Sequence, residues 1–342
     1  MNTNQRAGKT FSFAVIGYGP SFNMAPQHID AILRHPAFRL TAVCDTSKER
    51  LAAAREAYPH ITTFTSADTM LKRTDLDLAV IITPHNTHAP LALKCLRAGL
   101  HVVVEKPLAI TTGEVRQMLA AARAKKRMLS TFHNRRWDND YLVLRDILAS
   151  GVIGDVFRIE AGCNGYHKQR DWWRSSKAVS GGSIYDWGAH FTDWILSLVP
   201  AKITSVTGFQ AKHPAWKDYT NEDHSEYSLQ FDNGCLATLT MSNLSAIDRP
   251  RWVLRGTNGS ITAAQKSFVV KQYKDGRLWT TEYPFDNAKS DWHAYYRNVC
   301  AHLASGEPLV ITADASARVI GVLHAADVSA HKGGAPVIPF IR

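Results

Sequence analysis

The sequence has little cysteine and no long apolar run. Five cysteines are scattered through 342 residues, and none forms a CxxC pair. This usage argues against a disulfide framework and favours buried thiols in a reducing cytoplasm. No apolar stretch is long enough to span a bilayer, and the polar start, MNTNQRAGKT, lacks the apolar core of a secretory signal. We therefore expect a cytoplasmic protein without a membrane segment.

A nucleic-acid-binding pattern is also missing, although basic residues are in excess. Lysine and arginine number 40 against 30 acidic residues, a formal net charge of +10. The densest basic cluster, RAKKR, falls at the predicted C-terminal end of a helix, where cations complement the helix dipole. Aromatic residues do not interleave it, as they do in many nucleic-acid-binding segments. We interpret the charge as a general attraction for an anionic cofactor and expect no nucleic-acid partner.

Length and hydrophobic patterning predict two domains. At 342 residues the chain exceeds one typical core. Strand and helix patterns alternate over residues 10–133, which predicts an α/β Rossmann domain with a doubly wound parallel sheet. Residues 134–342 carry alternating runs joined by tight turns at 232–234, 257–259 and 275–276. That pattern predicts an α+β domain with an open, mostly antiparallel sheet.

A glycine pair follows the first buried strand. The segment FSFAVIGYG ends on Gly17 and Gly19, a pattern typical of a strand that stops at a phosphate-binding turn. We assign both glycines to the cofactor site, with Met24 in the next helix. The usual third glycine is absent. If residues 20–22 (PSF) are a loop insertion, Ala25 takes the third position, where a small residue packs the helix against the strand.

An acidic residue ends the second strand. Asp45 follows the apolar run FRLTAVC, where a carboxylate accepts hydrogen bonds from an adenosine ribose. A carboxylate there repels a 2′-phosphate, so we expect NAD, while Lys48 and Arg50 nearby keep NADP open. A second interpretation, compatible with the first, is that Asp45 caps the following helix.

The segment TPHNTH ends a later strand on the expected nicotinamide side of the cofactor. Thr83, Pro84, Asn86 and His88 are therefore assigned to cofactor binding. His85 and His88 have the HxxH spacing of zinc ligands, but no third ligand lies near them in the sequence. A helix start with a hydrogen-bonded histidine is the favoured interpretation, and we expect no metal.

The next strand, HVVV, ends on Glu105-Lys106-Pro107. Beside a cofactor, the Lys106 ammonium can hydrogen-bond a substrate hydroxyl and stabilise a developing alkoxide. Glu105 can orient Lys106 or bind a ribose. A charged pair at a strand end is also compatible with a simple solvated turn.

A histidine flanked by two carboxylates lies in the predicted helix Gly182–Val199. The spacing of Asp186, His190 and Asp193 places them on one helical face. His190 can accept or return a hydroxyl proton, because its ordinary pKa of about 6.5 lies near neutral pH. The alternative is a network of caps and salt bridges without a catalytic role.

Arginines and tryptophans cluster near the predicted domain junction. Arg136 and Arg174 can hold the hydroxyls of a polyol, and Trp173 can stack on a sugar ring. Structural contacts between the domains, or packing in the core, explain the same residues equally well.

Taken in order, the motifs TPHNTH, EKP, GGSIYDWGAH and RGTNGS resemble the Gfo/Idh/MocA family of nicotinamide-dependent oxidoreductases, which includes inositol and glucose–fructose dehydrogenases. The resemblance implies that Lys106 is the essential lysine and that Asp186 and His190 complete a catalytic trio with His190 as proton acceptor. It also implies that Asp193 and Arg136 reach the substrate, and that the open sheet forms dimer or tetramer contacts.

Two departures from the family pattern stand out. Residues 20–22 interrupt the glycine turn, and Ser183 stands where the family often has glycine. The trio is intact, so we expect an enzyme that transfers hydride between NAD (NADP possible) and a secondary hydroxyl of a sugar or cyclic polyol. The alternatives are a non-catalytic sensor of NAD(H), and NAD-assisted glycoside cleavage or dehalogenation without net NADH.

Overall fold

Two sheets organise the structure, a computed structural model that describes residues 9–19 and 23–341. The strands are β1 (Phe11–Ile16), β2 (Phe38–Cys44), β3 (Thr62–Phe64), β4 (Leu78–Ile81), β5 (His101–Val104), β6 (Leu129–Thr131), β7 (Val156–Asn164), β8 (Ile203–Ala211), β9 (His224–Phe231), β10 (Leu236–Ser242), β11 (Trp252–Gly256), β12 (Gly259–Ala263), β13 (Ser267–Lys274) and β14 (Arg277–Pro284). The α-helices are α1 (Met24–Leu33), α2 (Lys48–Ala57), α3 (Ala67–Met70), α4 (His88–Arg97), α5 (Thr112–Lys125), α6 (Asn139–Ala149), α7 (Lys177–Ser180), α8 (Trp187–Leu198), α9 (His293–Ser305) and α10 (Ala313–His331).

The first sheet is parallel throughout, with strand order β3-β2-β1-β4-β5-β6. All six residues of β1 are buried, as expected for a strand covered on both faces. Ala14 and Ile16 pack in one apolar cluster with α4 and α5, whereas Phe13 and Val15 pack in another with Ile29 of α1. The predicted doubly wound sheet is confirmed.

The second sheet has eight strands in the order β14-β13-β12-β11-β7-β10-β9-β8, and only the β7–β10 pair is parallel. Tyr227, Leu239 and Trp252 point to the face on which α8 and α10 pack. Among the described residues no helix covers the other face. The predicted open, mostly antiparallel sheet is confirmed, and its hairpins turn at the predicted positions.

Helix α9 follows the second sheet in the chain but packs on the first. Tyr295, Tyr296 and Val299 are buried with Phe132 and Ile29 in the same apolar cluster as β1. The chain therefore crosses back to the Rossmann core after the second sheet is complete. The domain boundary at residues 133/134 stays a prediction.

The predicted helix Gly182–Val199 is wrong in its first turn. Gly181 and Gly182 have φ angles of +88° and +125°, which place the chain in a turn. A single 3₁₀ turn, Ser183–Tyr185, follows, and the regular helix α8 begins only at Trp187. Asp186 is therefore the N-cap residue of α8 and does not lie inside the helix with His190.

Candidate active site

A cleft of about 610 Å³ lies at the carboxyl ends of the first sheet's strands, against α8. In open α/β sheets this edge is where ligands bind. Among the residues singled out in the sequence, it is lined by Gly19, Met24, Thr83, Pro84, His85, Glu105, Lys106, Trp173, Arg174, Asp186 and His190.

The turn after β1 requires glycine at its first position. Gly17 has φ +100°, and a Cβ there would lie 2.3 Å from the carbonyl oxygen of Ile82. Its N–H donates to the Cys44 carbonyl at 2.8 Å, which holds the turn against β2. Ala25 is buried in the core between α1 and the sheet, as its small size allows. The predicted insertion at 20–22 lies outside the described residues.

Asp45 joins two loops at this edge. Its carboxylate accepts the Tyr18 N–H at 2.6 Å and the Ser47 N–H at 2.8 Å. Ser47, rather than Asp45, caps α2, since its side chain accepts the N–H of Arg50. The capping interpretation of Asp45 is therefore wrong. The carboxylate holds the strand-end loop in place, and it has lone pairs left for a further donor.

Lys106 and Arg174 converge on Asp186. Lys106 Nζ lies 2.5 Å from Asp186 Oδ1, and Arg174 Nη1 donates to the same oxygen at 2.8 Å. Burial favours a higher pKa for Asp186, but the two cations outweigh it and hold the pKa of this carboxyl well below its usual range. Asp186 is therefore an anion that fixes the Lys106 ammonium at the edge of the cleft.

His190 lies in the first turn of α8 and is 6% exposed. Burial, followed by the positive charges of Lys106 and Arg135, holds the pKa of His190 well below its usual value. The imidazole is therefore neutral near pH 7, the form that can accept a proton. It lines the same cleft as Lys106.

A hydrogen-bonded chain supports Lys106 from behind. His28 Nδ1 lies 2.5 Å from the Tyr296 hydroxyl, and His28 Nε2 lies 3.0 Å from Glu105 Oε1. The other Glu105 oxygen accepts the Lys106 N–H at 2.9 Å. Burial favours a raised pKa for Glu105, but the hydrogen bond with His28 and the electrostatic attraction of His28, Lys106 and His88 together outweigh it and keep the pKa lowered. No sequence pattern indicated Tyr296, which is 268 residues from His28.

Arg136 and Asp193, predicted to reach the substrate, are engaged with each other. Arg136 Nε and Nη2 donate to the two Asp193 oxygens at 2.8 and 2.7 Å. Their side chains are 17% and 2% exposed, and neither lines the cleft. The structure therefore makes them a bidentate ion pair that joins the segment after β6 to α8.

The TPHNTH segment divides between the cleft and the interior. Thr83 and Pro84 line the cleft, whereas Asn86 is exposed outside it. His88 is fully buried, with Nδ1 2.7 Å from the Pro107 carbonyl and Nε2 2.8 Å from the Thr83 carbonyl. This ring braces two strand ends, so we expect it to shape the site without touching the cofactor.

The described residues hold neither a metal-binding cluster nor a helix suited to a membrane. Over residues 9–19 and 23–341, no cluster of three or more histidine, cysteine, aspartate or glutamate side chains is arranged to bind a metal ion. In the same ranges, none of the helices combines the length and the hydropathy that a bilayer crossing requires.

Comparison with known proteins shows the family of the chain. Residues 11–133 match the model of an oxidoreductase family with an NAD-binding Rossmann fold, and residues 141–262 match the GFO/IDH/MocA C-terminal domain. The chain is 31% identical over 288 residues to the uncharacterized oxidoreductase YdgJ of Escherichia coli, covering 84% of this chain and 79% of the relative. The chain belongs to the Gfo/Idh/MocA family.

A further relative and a solved structure are similar to this chain over nearly its whole length. IolW of Bacillus subtilis, a scyllo-inositol 2-dehydrogenase (NADP(+)), is 23% identical over 349 residues, which cover 94% of each chain. The crystal structure of an NAD-binding protein from Listeria innocua superimposes with a TM-score of 0.82 at 25% identity, over 97% of each chain. The two-domain architecture is therefore shared along nearly the whole chain.

The first domain of this Gfo/Idh/MocA oxidoreductase is an NAD-binding Rossmann domain. Its residues fit a dinucleotide, since the turn at Gly17 has no room for a side chain and Gly19 and Met24 line the cleft where α1 begins. Backbone N–H groups at a helix N-terminus are suited to a pyrophosphate. Asp45 lies at the strand end where a ribose is expected.

Proposed function

We propose that the protein transfers hydride between a secondary hydroxyl of a sugar or cyclic polyol and a nicotinamide cofactor. The supporting observation is the convergence of Lys106, Asp186 and His190 beside the Rossmann cleft, with Lys106 Nζ held 2.5 Å from Asp186. An ammonium fixed by a carboxylate and a neutral imidazole lining one cleft match the needs of alcohol oxidation. The name of IolW supports a cyclic polyol as substrate class.

Each group has a part in this reaction. A bound nicotinamide supplies the hydride acceptor, and Gly17, Gly19 and Asp45 are proposed to hold the rest of the dinucleotide. The Lys106 ammonium stabilises the alkoxide that develops as the hydroxyl proton leaves, and Asp186 keeps that ammonium in place.

His190 accepts the hydroxyl proton as the C–H hydrogen departs as hydride, which leaves a ketone. In the reverse direction His190 returns the proton. Because its surroundings disfavour the imidazolium, little of this proton donor is present near pH 7. We therefore expect ketone reduction to become faster as the pH falls.

The test is NADH absorbance with purified protein, NAD⁺ or NADP⁺, and a panel of inositols, aldoses and glycosides. Lys106→Ala should lower kcat by about 10²–10⁴ while leaving NAD⁺ affinity largely intact. Lys94→Ala is the matched control, because Lys94 lies on α4 paired with Asp68. Near-normal turnover by Lys106→Ala contradicts the mechanism.

Two other outcomes separate the alternatives. Tight NAD⁺ binding without turnover of any panel member favours a sensor of NAD(H). Product formation without net NADH favours glycoside cleavage or a related reaction. Either result contradicts the hydride-transfer proposal as stated.

A further inference from the structure

A second cavity of about 670 Å³ lies beyond Asp186, between the second sheet and the loop that follows β7. It shares four lining residues with the cofactor cleft: His85, Arg174, Asp186 and Trp187. We call this second cavity the outer cavity. Both spaces fall in the size range of ligand-binding pockets, about 300–1,000 Å³.

The two cavities differ in which reactive groups they contain. Lys106 and His190 line only the cofactor cleft, so the reacting carbon of a substrate must lie there. Asp186 lies at the junction of both spaces. Any part of the substrate in the outer cavity is therefore a part that does not react.

His85 at the junction has an unused hydrogen-bonding atom. Its Nδ1 lies 2.9 Å from the Ser180 carbonyl, which can only accept, so Nδ1 carries the proton and Nε2 is an acceptor. The ring is 3% exposed, and Nε2 has no partner within the described ranges. A buried hydrogen-bond acceptor without a partner lowers the stability of the fold. A ligand hydroxyl is the donor that would satisfy it.

The outer cavity is polar, and its charged groups other than the exposed Arg170 are paired within the described residues. Asp223 accepts the Tyr219 hydroxyl at 2.5 Å and the His213 N–H at 3.0 Å. Lys168 is paired with Asp218. The remaining polar wall includes neutral amides and a hydroxyl, from Asn164, Gln169, Asn243 and Ser183, beside the indole of Trp172.

Amide groups beside an aromatic ring suit a neutral, hydroxyl-rich ligand better than an anion. The amides donate and accept hydrogen bonds in fixed directions, as sugar hydroxyls do. One such amide is already oriented, because Gln169 Nε2 donates to the Glu222 carbonyl at 2.7 Å. That contact leaves the carbonyl oxygen of Gln169 available as an acceptor.

We propose that the outer cavity binds a second, uncharged sugar ring, and that the substrate is a glycoside or disaccharide oxidised on the ring that enters the cofactor cleft. This inference rests on the proposed function. A single ring beside Lys106 and His190 would leave the outer cavity without a ligand. A second ring joined to it can occupy that space and offer a hydroxyl to His85.

The first experiment compares kcat/KM for single rings, myo-inositol and glucose, with that for the disaccharides maltose and trehalose and for the anion glucose 6-phosphate. We expect at least one disaccharide to exceed the single rings by about tenfold, the effect of one or two net hydrogen bonds. Equal values for one and two rings overturn the inference but leave the proposed function standing. A higher kcat/KM for glucose 6-phosphate than for the neutral sugars contradicts the inference that the ligand of the outer cavity is uncharged. If none of the compounds is oxidised, both this inference and the proposed function are wrong.

Variants of the outer cavity then test its role directly. Gln169→Ala and Asn243→Ala should each reduce the ratio of disaccharide to single-ring kcat/KM severalfold, mainly through KM. Gln117→Ala is the control, since Gln117 is exposed on α5, and should leave the ratio unchanged. His85→Phe keeps a planar ring without the acceptor and should also lower the ratio. Unchanged ratios in all three cavity variants contradict the inference.

Discussion

At the scale of single residues, charge and hydrogen bonding decide what each group can do. The Asp45 carboxylate accepts hydrogen bonds from the N–H groups of Tyr18 and Ser47, at 2.6 and 2.8 Å. These two bonds fix its position without a ligand. A fixed negative charge at this strand end opposes a 2′-phosphate. Structural and cofactor roles are therefore combined in one side chain.

Replacement of Asp45 should change cofactor choice. We expect Asp45→Ser to raise KM for NAD⁺ and lower KM for NADP⁺, because the ribose acceptor and the repulsive charge are both lost. Steady-state kinetics with each cofactor measure the change, and Asp30→Ser on α1 is the control. If the wild-type protein already prefers NADP⁺, the cofactor in the name of IolW, this account of Asp45 is wrong.

The fall of kcat/KM for oxidation at low pH, the acid limb of the pH profile, should reflect protonation of His190. Burial, then Lys106, Arg135, His133 and Arg251, lower its pKa, so kcat/KM should rise with pH through an apparent pKa below about 6.5. Removing one cation makes the imidazolium easier to form. Arg251→Met should therefore move the limb to higher pH, whereas Arg251→Lys should move it less. A limb that does not move in Arg251→Met contradicts this electrostatic account.

At the scale of secondary-structure elements, residues far apart in sequence support the site. The chain from Tyr296 through His28 to Glu105 joins α9, α1 and the end of β5. The neutral His28 tautomer with its proton on Nε2 satisfies every contact, because it accepts from the Tyr296 hydroxyl and donates to the carboxylate. Helix α9 thereby orients the segment that carries Lys106.

A pair of tyrosine variants can separate positioning from stability. Tyr296→Phe should lower kcat several-fold with little change in the KM for NAD⁺, because His28 loses the bond that orients it. Tyr295→Phe removes a neighbouring buried hydroxyl that donates to Ser130 at 2.8 Å. Both should cost about 1 kcal/mol of stability. Equal kcat in the two variants would show that Tyr296 does not position the site.

The Arg136–Asp193 pair should contribute to stability and not to substrate binding. Removing one partner leaves a buried charge, so Arg136→Met should lower the free energy of unfolding by about 3–5 kcal/mol. The double variant Arg136→Met/Asp193→Leu should recover much of that loss, since both charges are gone. Urea unfolding measures both. If Arg136→Met raises the substrate KM without lowering the free energy of unfolding, the pair binds substrate instead.

The same pair gives stability a defined pH dependence. Burial raises the pKa of Asp193, but Arg136, together with His133, outweighs burial and lowers the pKa below the unfolded value. The pair therefore stabilises the fold above about pH 4, and that contribution is lost as the pH falls through the lower folded-state pKa. The double variant should lose less stability below pH 4 than the wild type.

At the scale of the whole molecule, the second sheet presents an open face that packs on none of the described helices. This face carries a charged cluster at its centre, where Glu160 on β7 accepts Arg255 at 2.7 Å and Arg158 lies 3.4 Å from the same oxygen. Exposed apolar side chains such as Phe209 and Tyr273 lie nearer its edges. The predicted dimer or tetramer stays a prediction. Polar sheet faces can form homo-oligomer contacts when their charges are complementary.

A charge reversal tests whether this face associates. If it does, Glu160→Lys should weaken the oligomer at low salt, because three cations then meet on it. Glu49→Lys makes the same change in net charge on α2 of the Rossmann domain, away from the face. Light scattering after gel filtration measures both. An oligomer that Glu160→Lys leaves intact assembles through another surface.

Sequence patterns alone determined most of the fold. Buried parallel strands read as continuous apolar runs, and hairpin turns carry Asn-Gly or Asp-Gly, so both sheets were predictable from local chemistry. The glycine turn and the EKP and GGSIYDWGAH segments indicated the site, because each combines polar or charged residues with the end of a predicted element. Their order along the chain matches the pattern of one family.

Only the tertiary structure decided which side chains meet. Spacing placed Asp186 on a helix with His190, but the paired glycines before it break that helix. Arg136 and Asp193 pair with each other, and Tyr296 reaches His28 from the far end of the chain. Such contacts depend on the packing of elements distant in sequence, which periodicity and spacing do not encode.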